Sequence, residues 1–481
     1  MNTENTVQKI AVIGAGTMGQ GIAQLALQAG HAVTLIDQSQ EQLDNAKASL
    51  EKLFNRFAEK GKITAEQAQT WLDQLGLSTD NQSASDAGLV IEAIVERLDV
   101  KQAVFSALED IVSDDTILAS NTSSLSVTAI ASALRLPSRF IGLHFFNPPG
   151  IMPLVEVVKA VQSDDAILDQ AQALMSAWGK TPVRCKDTPS FIVNRVARPY
   201  YIESFRLLEE GAIGKEDLDA CLRSGMNFRM GPCELTDFIG HDVNYAVSQS
   251  LWQALGYPPH LKPSFLQGEL VAANYLGRKK GRGFYQYEDG KRLAEDGQTH
   301  NQFVAFAEAD NPDFADDESY VGTLENGVVV LVTEGFRAAD TEDEMDAPIA
   351  LIDISAAETP ACRAITYSPA ARELMGDAVP DPAGLTERWV VMPDRPGLVN
   401  LRVISLIVNE GATAVLHGIA DEAGVDAALK GGVNYPQGAF EWLDDIGIDG
   451  ICDTLEGLGY YYGSHYMPSP YLKDKLELLE D

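Results

Sequence analysis

The sequence predicts an α/β, Rossmann-type N-terminal domain built on a parallel sheet, then an all-α domain, a small degenerate α/β unit and a second copy of the α domain. Three observations carry this. β-Branched apolar runs alternate with helical stretches in the first part of the chain. A glycine-rich turn joins the first apolar run to a helix, and a segment near the middle of the chain recurs near its end.

Taken in order, residues 8–14 (Gln-Lys-Ile-Ala-Val-Ile-Gly) form an apolar run ending in glycine, the pattern of a buried parallel strand. Residues 17–30 fit a helix closed by Gly30, and residues 32–37 (Ala-Val-Thr-Leu-Ile-Asp) a second strand. Further apolar runs at 88–95, 116–120 and 140–145 alternate with helical stretches, which puts helices on both faces of a parallel sheet. From Asp187 to about Gly256 the pattern is helical. Residues 290–323 are acidic and poor in structure signals (Asp310 to Glu318 above all) and read as a linker. Residues 327–333, 348–354 and 388–392 again resemble buried strands, so 320–393 reads as a small α/β unit without a glycine fingerprint. The expected domains are therefore 1–186, a helical 187–290, a linker and small unit over 291–393, and a second helical domain over 394–481.

The second helical domain is expected because shifting the chain by 207 positions aligns it with the first without a gap. Asp187, Pro189, Arg195, Glu203 and Gly211 meet Asp394, Pro396, Arg402, Glu410 and Gly418. Asp219, Gly225, Asn227, Gly231 and Glu234 meet Asp426, Gly432, Asn434, Gly438 and Glu441. Asp237, Gly240 and Asp242 meet Asp444, Gly447 and Asp449. Two copies do not make a solenoid; they suggest two modules packed as the subunits of a dimer would be.

Composition bounds the function. The 481 residues suggest about three domains, and 45% apolar with 22% charged content describes a globular chain. With 36 basic against 70 acidic side chains the net charge is −34, which disfavours nucleic acid and anionic membranes as partners. No apolar run is long enough for a membrane helix, and the start (Met1-Asn2-Thr3-Glu4-Asn5) carries no secretion signal. The five cysteines are scattered without a C-x-x-C, against a disulfide framework or zinc site and in keeping with a reducing cytosol, so a cytoplasmic location is expected and no metal.

Four motifs carry chemistry. Gly14-Ala15-Gly16-Thr17-Met18-Gly19 follows a strand and opens a helix, and Asp37 ends the next strand. In that context the glycines let the backbone approach a pyrophosphate, which the helix N-terminus attracts even on an acidic protein. Asp37 suits a ribose 2′-hydroxyl and repels a 2′-phosphate, favouring NAD over NADP. The second motif is His144-Phe145-Phe146-Asn147-Pro148, followed by Glu156. Histidine exchanges protons near neutrality and a carboxylate would orient it; equally, the two could be a strand-end histidine and an edge-strand acid that never meet. The third, Ser120-Asn121-Thr122-Ser123-Ser124-Leu125, could supply hydroxyls and amides beyond a strand end or simply cap the next helix. The fourth is Asp187 to Arg195, where Pro189 suits a first helical turn and Asn194 would lie about one and a half turns in.

Together these residues resemble the 3-hydroxyacyl-CoA dehydrogenase family, of the short-chain 3-hydroxybutyryl-CoA type. The supporting markers include Ile91-Glu92-Ala93-Ile94-Val95-Glu96, Met230 to Asp237 and Lys280 to Tyr285. The resemblance covers residues 7–290, and the C-terminal repeat resembles a second helical domain of the family. It implies NAD-dependent oxidation of L-3-hydroxyacyl-CoA to 3-oxoacyl-CoA. It also implies His144 as base, Glu156 holding it, Ser123 on the substrate oxygen and Asn194 supporting the acyl group. Around the cofactor it places Gly14, Gly16, Thr17, Met18, Gly19, Asp37, Glu96, Lys101, Asn121, Ser123, Asn147 and Lys279, with Lys52 and Arg56 toward CoA. At the position equivalent to Asn194 the second copy has Leu401, so that copy reads as architectural, standing in for a partner subunit; a further homo-oligomer stays open. The duplicated plan also resembles the 3-hydroxyadipyl-CoA dehydrogenase of phenylacetate catabolism. A non-catalytic, crystallin-like relative is the other alternative, against which the intact Ser123, His144, Glu156 and Asn194 stand.

Overall fold

A computed structural model describes residues 9–293, 302–308, 311–314, 317–382 and 384–480. The first residues and part of the acidic run, including Asp310 and Asp316, lie outside the described residues. Two compact units emerge: residues up to Val193 together with Gly418–Val433, and Asn194–His417 together with the chain from Asn434 onward.

The first unit is built on β1 (Lys9–Ile13), α1 (Thr17–Gln28), β2 (Ala32–Ile36), α2 (Gln40–Glu59), α3 (Ala65–Asp73), β3 (Leu75–Ser78), β4 (Leu89–Glu92), α4 (Leu98–Glu109), β5 (Ile117–Ser120), α5 (Val127–Ala131), β6 (Phe140–Phe145), β7 (Leu154–Lys159), α6 (Asp165–Ala177) and β8 (Thr181–Lys186). One eight-stranded sheet runs in the order β3-β2-β1-β4-β5-β6-β7-β8. Neighbours are parallel except β6 against β7. Strand order reverses beside β1, so a crevice opens beyond the carboxyl ends of β1 and β4. Ile10, Val12, Leu35, Ile91 and Leu143 are buried in its core with Ile22, Leu43 and Phe54 from the covering helices. Gly431 and Gly432, in α16 (Glu422–Val433), let that helix lie against Leu154 and Val193; a Cβ on Gly432 would sit 2.7 Å from the Val193 side chain.

The second unit opens with a short helix, α7 (Val193–Val196), shared at its first residue with the first unit, and continues through α8 (Arg198–Glu209), α9 (Lys215–Gly225), α10 (Pro232–Ile239), α11 (His241–Ala254) and α12 (Phe265–Ala272). The short pairs β9 (Tyr287–Glu288) with β10 (Lys291–Arg292), and β11 (Phe303–Val304) with β16 (Val379–Pro380), flank a five-stranded sheet. That sheet orders β12 (Tyr320–Thr323), β13 (Val329–Val332), β14 (Ile349–Ile352), β15 (Arg363–Tyr367) and β17 (Trp389–Val391), with α13 (Ala338–Met345) and α14 (Pro369–Met375) between strands. The chain ends in α15 (Asn400–Leu416), α17 (Ala439–Ile446), α18 (Ile448–Tyr462) and α19 (Pro470–Glu480).

The α/β unit is a second copy of the back half of the first sheet. The path β13-α13-β14-β15-α14-β17 repeats β5-α5-β6-β7-α6-β8, with the same parallel, antiparallel, parallel pairing. Asp187 accepts the N–H groups of Val127 and Thr128 at the start of α5; Asp394, its partner in the repeat, accepts those of Ala338 and Ala339 at the start of α13. Backbone conformation repeats too. Ser190 and Phe191 are left-handed (φ 64° and 53°), as are Gly397 and Leu398 (72° and 50°), and Asn227 (61°) answers Asn434 (55°).

This turn corrects one expectation. No helix begins at Pro189; the left-handed Ser190 and Phe191 delay the start to Val193 and place Asn194 in the first turn. Strand β15 and helices α13 and α14 were likewise not resolved by the sequence pattern as separate elements.

Candidate active site

The glycine turn is shaped as its motif requires. Gly14 sits at φ 105°, and a Cβ there would come within 2.6 Å of the Ala93 carbonyl oxygen; a Cβ on Gly19 would strike the Gly14 carbonyl. Gly16 is different: nothing lies within 4 Å of the place its Cβ would take. It is the N-cap of α1, whose first turn carries no acidic side chain. An open space at a helix N-terminus, fronted by free N–H groups, fits the pyrophosphate of a dinucleotide. Thr17 and Met18 form the first turn of the helix, and Met18 packs part-buried on the core. Asp37, at the end of β2, accepts the Ala15 N–H at 2.8 Å and the Ser39 N–H at 2.9 Å, so it braces the glycine turn.

His144 and Glu156 meet. They are direct partners in the antiparallel β6·β7 register, and His144 Nδ1 lies 2.6 Å from Glu156 Oε2. Both are buried, at 5% and 0% exposure. The other carboxylate oxygen accepts the N–H groups of Ile192 (3.0 Å) and Val193 (2.9 Å). Because Glu156 accepts two N–H groups, the bond to His144 is donated by Nδ1–H, which leaves Nε2 as the proton acceptor. Phe146 and Phe191 pack on the imidazole, ring centroids 4.5 and 5.7 Å away.

The polar run after β5 is locked to this pair and to the turn after β4. Asn121 Oδ1 accepts the Phe145 N–H at 2.9 Å. Glu96 accepts from the Thr122 hydroxyl (2.6 Å), the Ser123 N–H (3.0 Å), and the N–H and hydroxyl of Ser124. Burial pushes the Glu96 carboxyl up, but the Thr122 bond, the Lys101 ammonium and the Ser124 and Ser123 donors outweigh it and hold the group below the usual carboxylate range. Ser123 itself stays exposed. Asn147, two residues beyond β6, is exposed as well.

Sequence reasoning gave Glu92 no role. At the end of β4 this fully buried carboxylate accepts from Lys101 Nζ (2.6 Å), the Ser120 hydroxyl (2.6 Å) and the Ile94 N–H (2.7 Å). Lys101 also reaches Glu96 at 3.2 Å. One acidic residue closing an apolar strand is the signal that could have found it, since a buried carboxylate demands partners.

The remaining predicted residues stand elsewhere. Lys52 and Arg56 are exposed, one turn apart on α2, away from its buried Leu43, Leu50 and Phe54. Asn194 and Lys279 belong to the second unit. Asn194 directly follows Val193, whose N–H Glu156 holds. Lys279 pairs with Asp242 at 2.5 Å, a contact that holds the Asp242 carboxyl below its ordinary value. Among the described residues no cluster of histidine, cysteine or acidic side chains suits a metal ion, and no helix is long and apolar enough to cross a membrane.

A glycine turn that fits a dinucleotide and a His–Glu pair toward the same end of the sheet define a nicotinamide-dependent dehydrogenase architecture. Family comparison agrees. Residues 9–188 match the NAD-binding domain of 3-hydroxyacyl-CoA dehydrogenase, and residues 191–287 and 397–480 both match its C-terminal domain. The chain belongs to the 3-hydroxyacyl-CoA dehydrogenase family. It is 39% identical over 98% of its length, and 97% of the relative's, to 3-hydroxyadipyl-CoA dehydrogenase of Escherichia coli. It is 44% identical to a probable 3-hydroxybutyryl-CoA dehydrogenase of Deinococcus radiodurans, covering 58% of this chain and all of that one. Among solved structures, a 3-hydroxybutyryl-CoA dehydrogenase from Escherichia coli K12 superposes with a TM-score of 0.89 at 36% identity, over 98% of this chain and 99% of that one.

Proposed function

We propose that the chain oxidises an L-3-hydroxyacyl-CoA to the 3-oxoacyl-CoA with NAD as acceptor. The observation that carries this is the 2.6 Å His144–Glu156 contact, buried toward the carboxyl end of β6, the end of the sheet that also carries the glycine turn. Bound NAD supplies the hydride acceptor. His144 Nε2 takes the proton of the C3 hydroxyl as the C3–H bond breaks, and Glu156 balances the imidazolium formed. The exposed Ser123 hydroxyl bonds the substrate oxygen, on a loop that Glu96 and Asn121 hold still. Asn194 supports the acyl group, and Glu96, Lys101, Asn121, Asn147 and Lys279 surround the nicotinamide half of the cofactor. Lys52 and Arg56 are offered to the CoA phosphates. Domain bounds of 1–186, 187–290, 291–393 and 394–481 describe the chain by sequence.

A second reading concerns the substrate. The relative with 39% identity along nearly the whole chain carries the name of a dicarboxylic acyl-CoA enzyme, which favours a substrate ending in a carboxylate. Following NADH absorbance with a length series of L-3-hydroxyacyl-CoAs, the adipyl form included, tests both. NADH formation with any member supports the chemistry, and the highest kcat/KM assigns the substrate. No NADH with any member overturns the dehydrogenase reading.

We also infer that the second helical module replaces a partner subunit. Two buried ion pairs support it: Arg195 with Glu410 at 2.5 Å and Arg402 with Glu203 at 2.6 Å. The 207-residue shift turns one into the other, as a two-fold axis exchanges the contacts of an isologous dimer. Sedimentation of the whole chain checks for any further oligomer.

A further inference from the structure

All five cysteines are buried, and Cys185, Cys233 and Cys452 lie in β8, α10 and α18. The other two converge. Cys221, in α9, and Cys362, one residue before β15, hold their sulfurs 3.6 Å apart, although 141 positions separate them in the chain.

The surroundings of this pair are ordered. The Cys362 N–H donates to the Ser224 hydroxyl at 3.2 Å, one turn along α9 from Cys221. At the last residue of α9, the Ala356 N–H donates to the Gly225 carbonyl at 2.7 Å, so the two segments that carry the cysteines are tied on one side already. Arg388 acts electrostatically on both sulfurs, and its guanidinium pairs with Asp217 at 2.6 Å while remaining about one third exposed. The bond to Cys362 and then burial raise the Cys221 thiol well above its ordinary value, and either sulfur can donate the hydrogen bond between them. Disulfide bonds are about 2.05 Å long.

We propose that Cys221 and Cys362 form a modification site, at which hydrogen peroxide closes a disulfide that fastens α9 to the α/β unit. The Cys362 sulfur attacks the peroxide. An S–O bond forms, the O–O bond breaks, and the departing oxygen leaves as water with the thiol proton. Cys221 then attacks the sulfenic sulfur. The S–S bond forms, the S–O bond breaks, and the hydroxyl leaves as a second water with the Cys221 proton. Two thiols lose two electrons and one peroxide is reduced to two waters. The proposal does not depend on the dehydrogenase reading.

The test uses the folded, full-length protein exposed to hydrogen peroxide, then alkylated in denaturant. Free thiols are expected to fall from five to three, and peptide mapping under non-reducing conditions to join Cys221 to Cys362. The oxidised form should melt at a higher temperature and return to the original midpoint with dithiothreitol. In Cys221→Ser, Cys362 should instead be trapped as a sulfenic acid by dimedone. Five thiols persisting in the folded protein, or losses spread over Cys185, Cys233 and Cys452, would overturn the assignment.

Discussion

The two copies of the back-half sheet hold a helical module by the same device with different residues. In the first, Glu156 on β7 accepts the N–H groups of Ile192 and Val193. In the second, Asp353 at the end of β14 accepts those of Val399 and Asn400, the same two positions shifted by 207. The pairing shows what changed. Ala364 pairs with Val390 as Glu156 pairs with Val183, and the Asp353 N–H donates to the Ala364 carbonyl, so Asp353 stands where His144 stands in the first copy. The carboxylate stands on the histidine's strand, and its other oxygen is occupied by the N–H groups of Ile354 at 2.9 Å and Leu401 at 3.3 Å. In the first copy that second oxygen is spent on His144. The helix clasp is common to both copies, whereas the carboxylate oxygen facing an imidazole belongs to the first.

The contrast extends to the space beside each clasp. A cavity of about 610 Å³ next to Leu401 is lined by Glu318, Glu334, Asp445, Asp449 and Asp453. Mutual repulsion joins burial in raising the Glu334 and Asp453 carboxyls. Such a lining repels the phosphates that the N-terminal glycine turn attracts. The second copy also has no counterpart of β1, α1 and β2 within its five-stranded sheet.

His144→Gln is the substitution that separates the copies most. It removes the proton acceptor and keeps the ring's volume approximately, so kcat should fall about 10²- to 10⁴-fold. NAD affinity, followed by fluorescence quenching, should be nearly unchanged. Near-native turnover would take His144 out of its role.

Removing the clasp itself should affect stability in both copies and catalysis in one. Glu156→Ala leaves two buried N–H groups and the His144 Nδ1–H without an acceptor, and Asp353→Ala leaves four backbone N–H groups bare. Each should cost on the order of 3 kcal/mol in urea unfolding. Asp353→Ala should keep the native kcat, whereas Glu156→Ala should lose it. Equal activity losses in the two variants would break the distinction between clasp and catalyst.

Acidity offers a comparable lever on the second clasp. Burial pushes the Asp353 carboxyl from 3.8 to about 6, against the pull of the Asn400, Leu401 and Val399 N–H groups. The native state therefore holds a proton between about pH 4 and pH 6 that the unfolded chain has released. A raised carboxyl contributes stability that is fully present below the unfolded value and is lost as pH rises through the folded one. Relative to Asp353→Asn, the protein should lose about 3 kcal/mol between pH 4 and pH 6 and change little above. Parallel pH profiles for the two proteins would place the carboxyl in an ordinary environment.

Much of this was legible in the sequence because it rests on local pattern. The strand, glycine turn and helix from Lys9 to Gln28 announce themselves through periodicity and a glycine motif of which Gly14 and Gly19 are required by backbone geometry. The 207-residue repeat was legible because left-handed and capping positions, such as Asn227 with Asn434 and Asp187 with Asp394, tolerate few substitutes. What stayed hidden was set by register and tertiary contact. His144 and Glu156 are twelve positions apart, and only the antiparallel pairing brings them opposite each other. The α/β copy kept its topology while replacing His144 by Asp353 and Glu156 by Ala364, so no residue pattern remained to read. Two family markers also turn out to serve packing: Asp237 accepts the N–H groups of Phe284 and Tyr285 at 2.8 and 2.9 Å, binding one marker to the other.

The smallest expected effect lies in the front half that the second copy lacks. Under the proposed function Asp37 does two jobs: its negative charge faces a ribose position, and its two oxygens brace Ala15 and Ser39. Asp37→Ala loses both, so discrimination against NADP should weaken about tenfold, the value of roughly 1.4 kcal/mol, while NAD binding also suffers from the unbraced turn. Asp37→Asn separates the two jobs. It removes the charge that repels a 2′-phosphate and keeps one side-chain oxygen as an acceptor for the turn. NADP should then gain affinity with NAD nearly unaffected, as read from kcat/KM for the two cofactors. An unchanged NAD/NADP ratio in both variants would leave Asp37 as a brace alone, and cofactor choice would then have to come from residues other than the one closing β2.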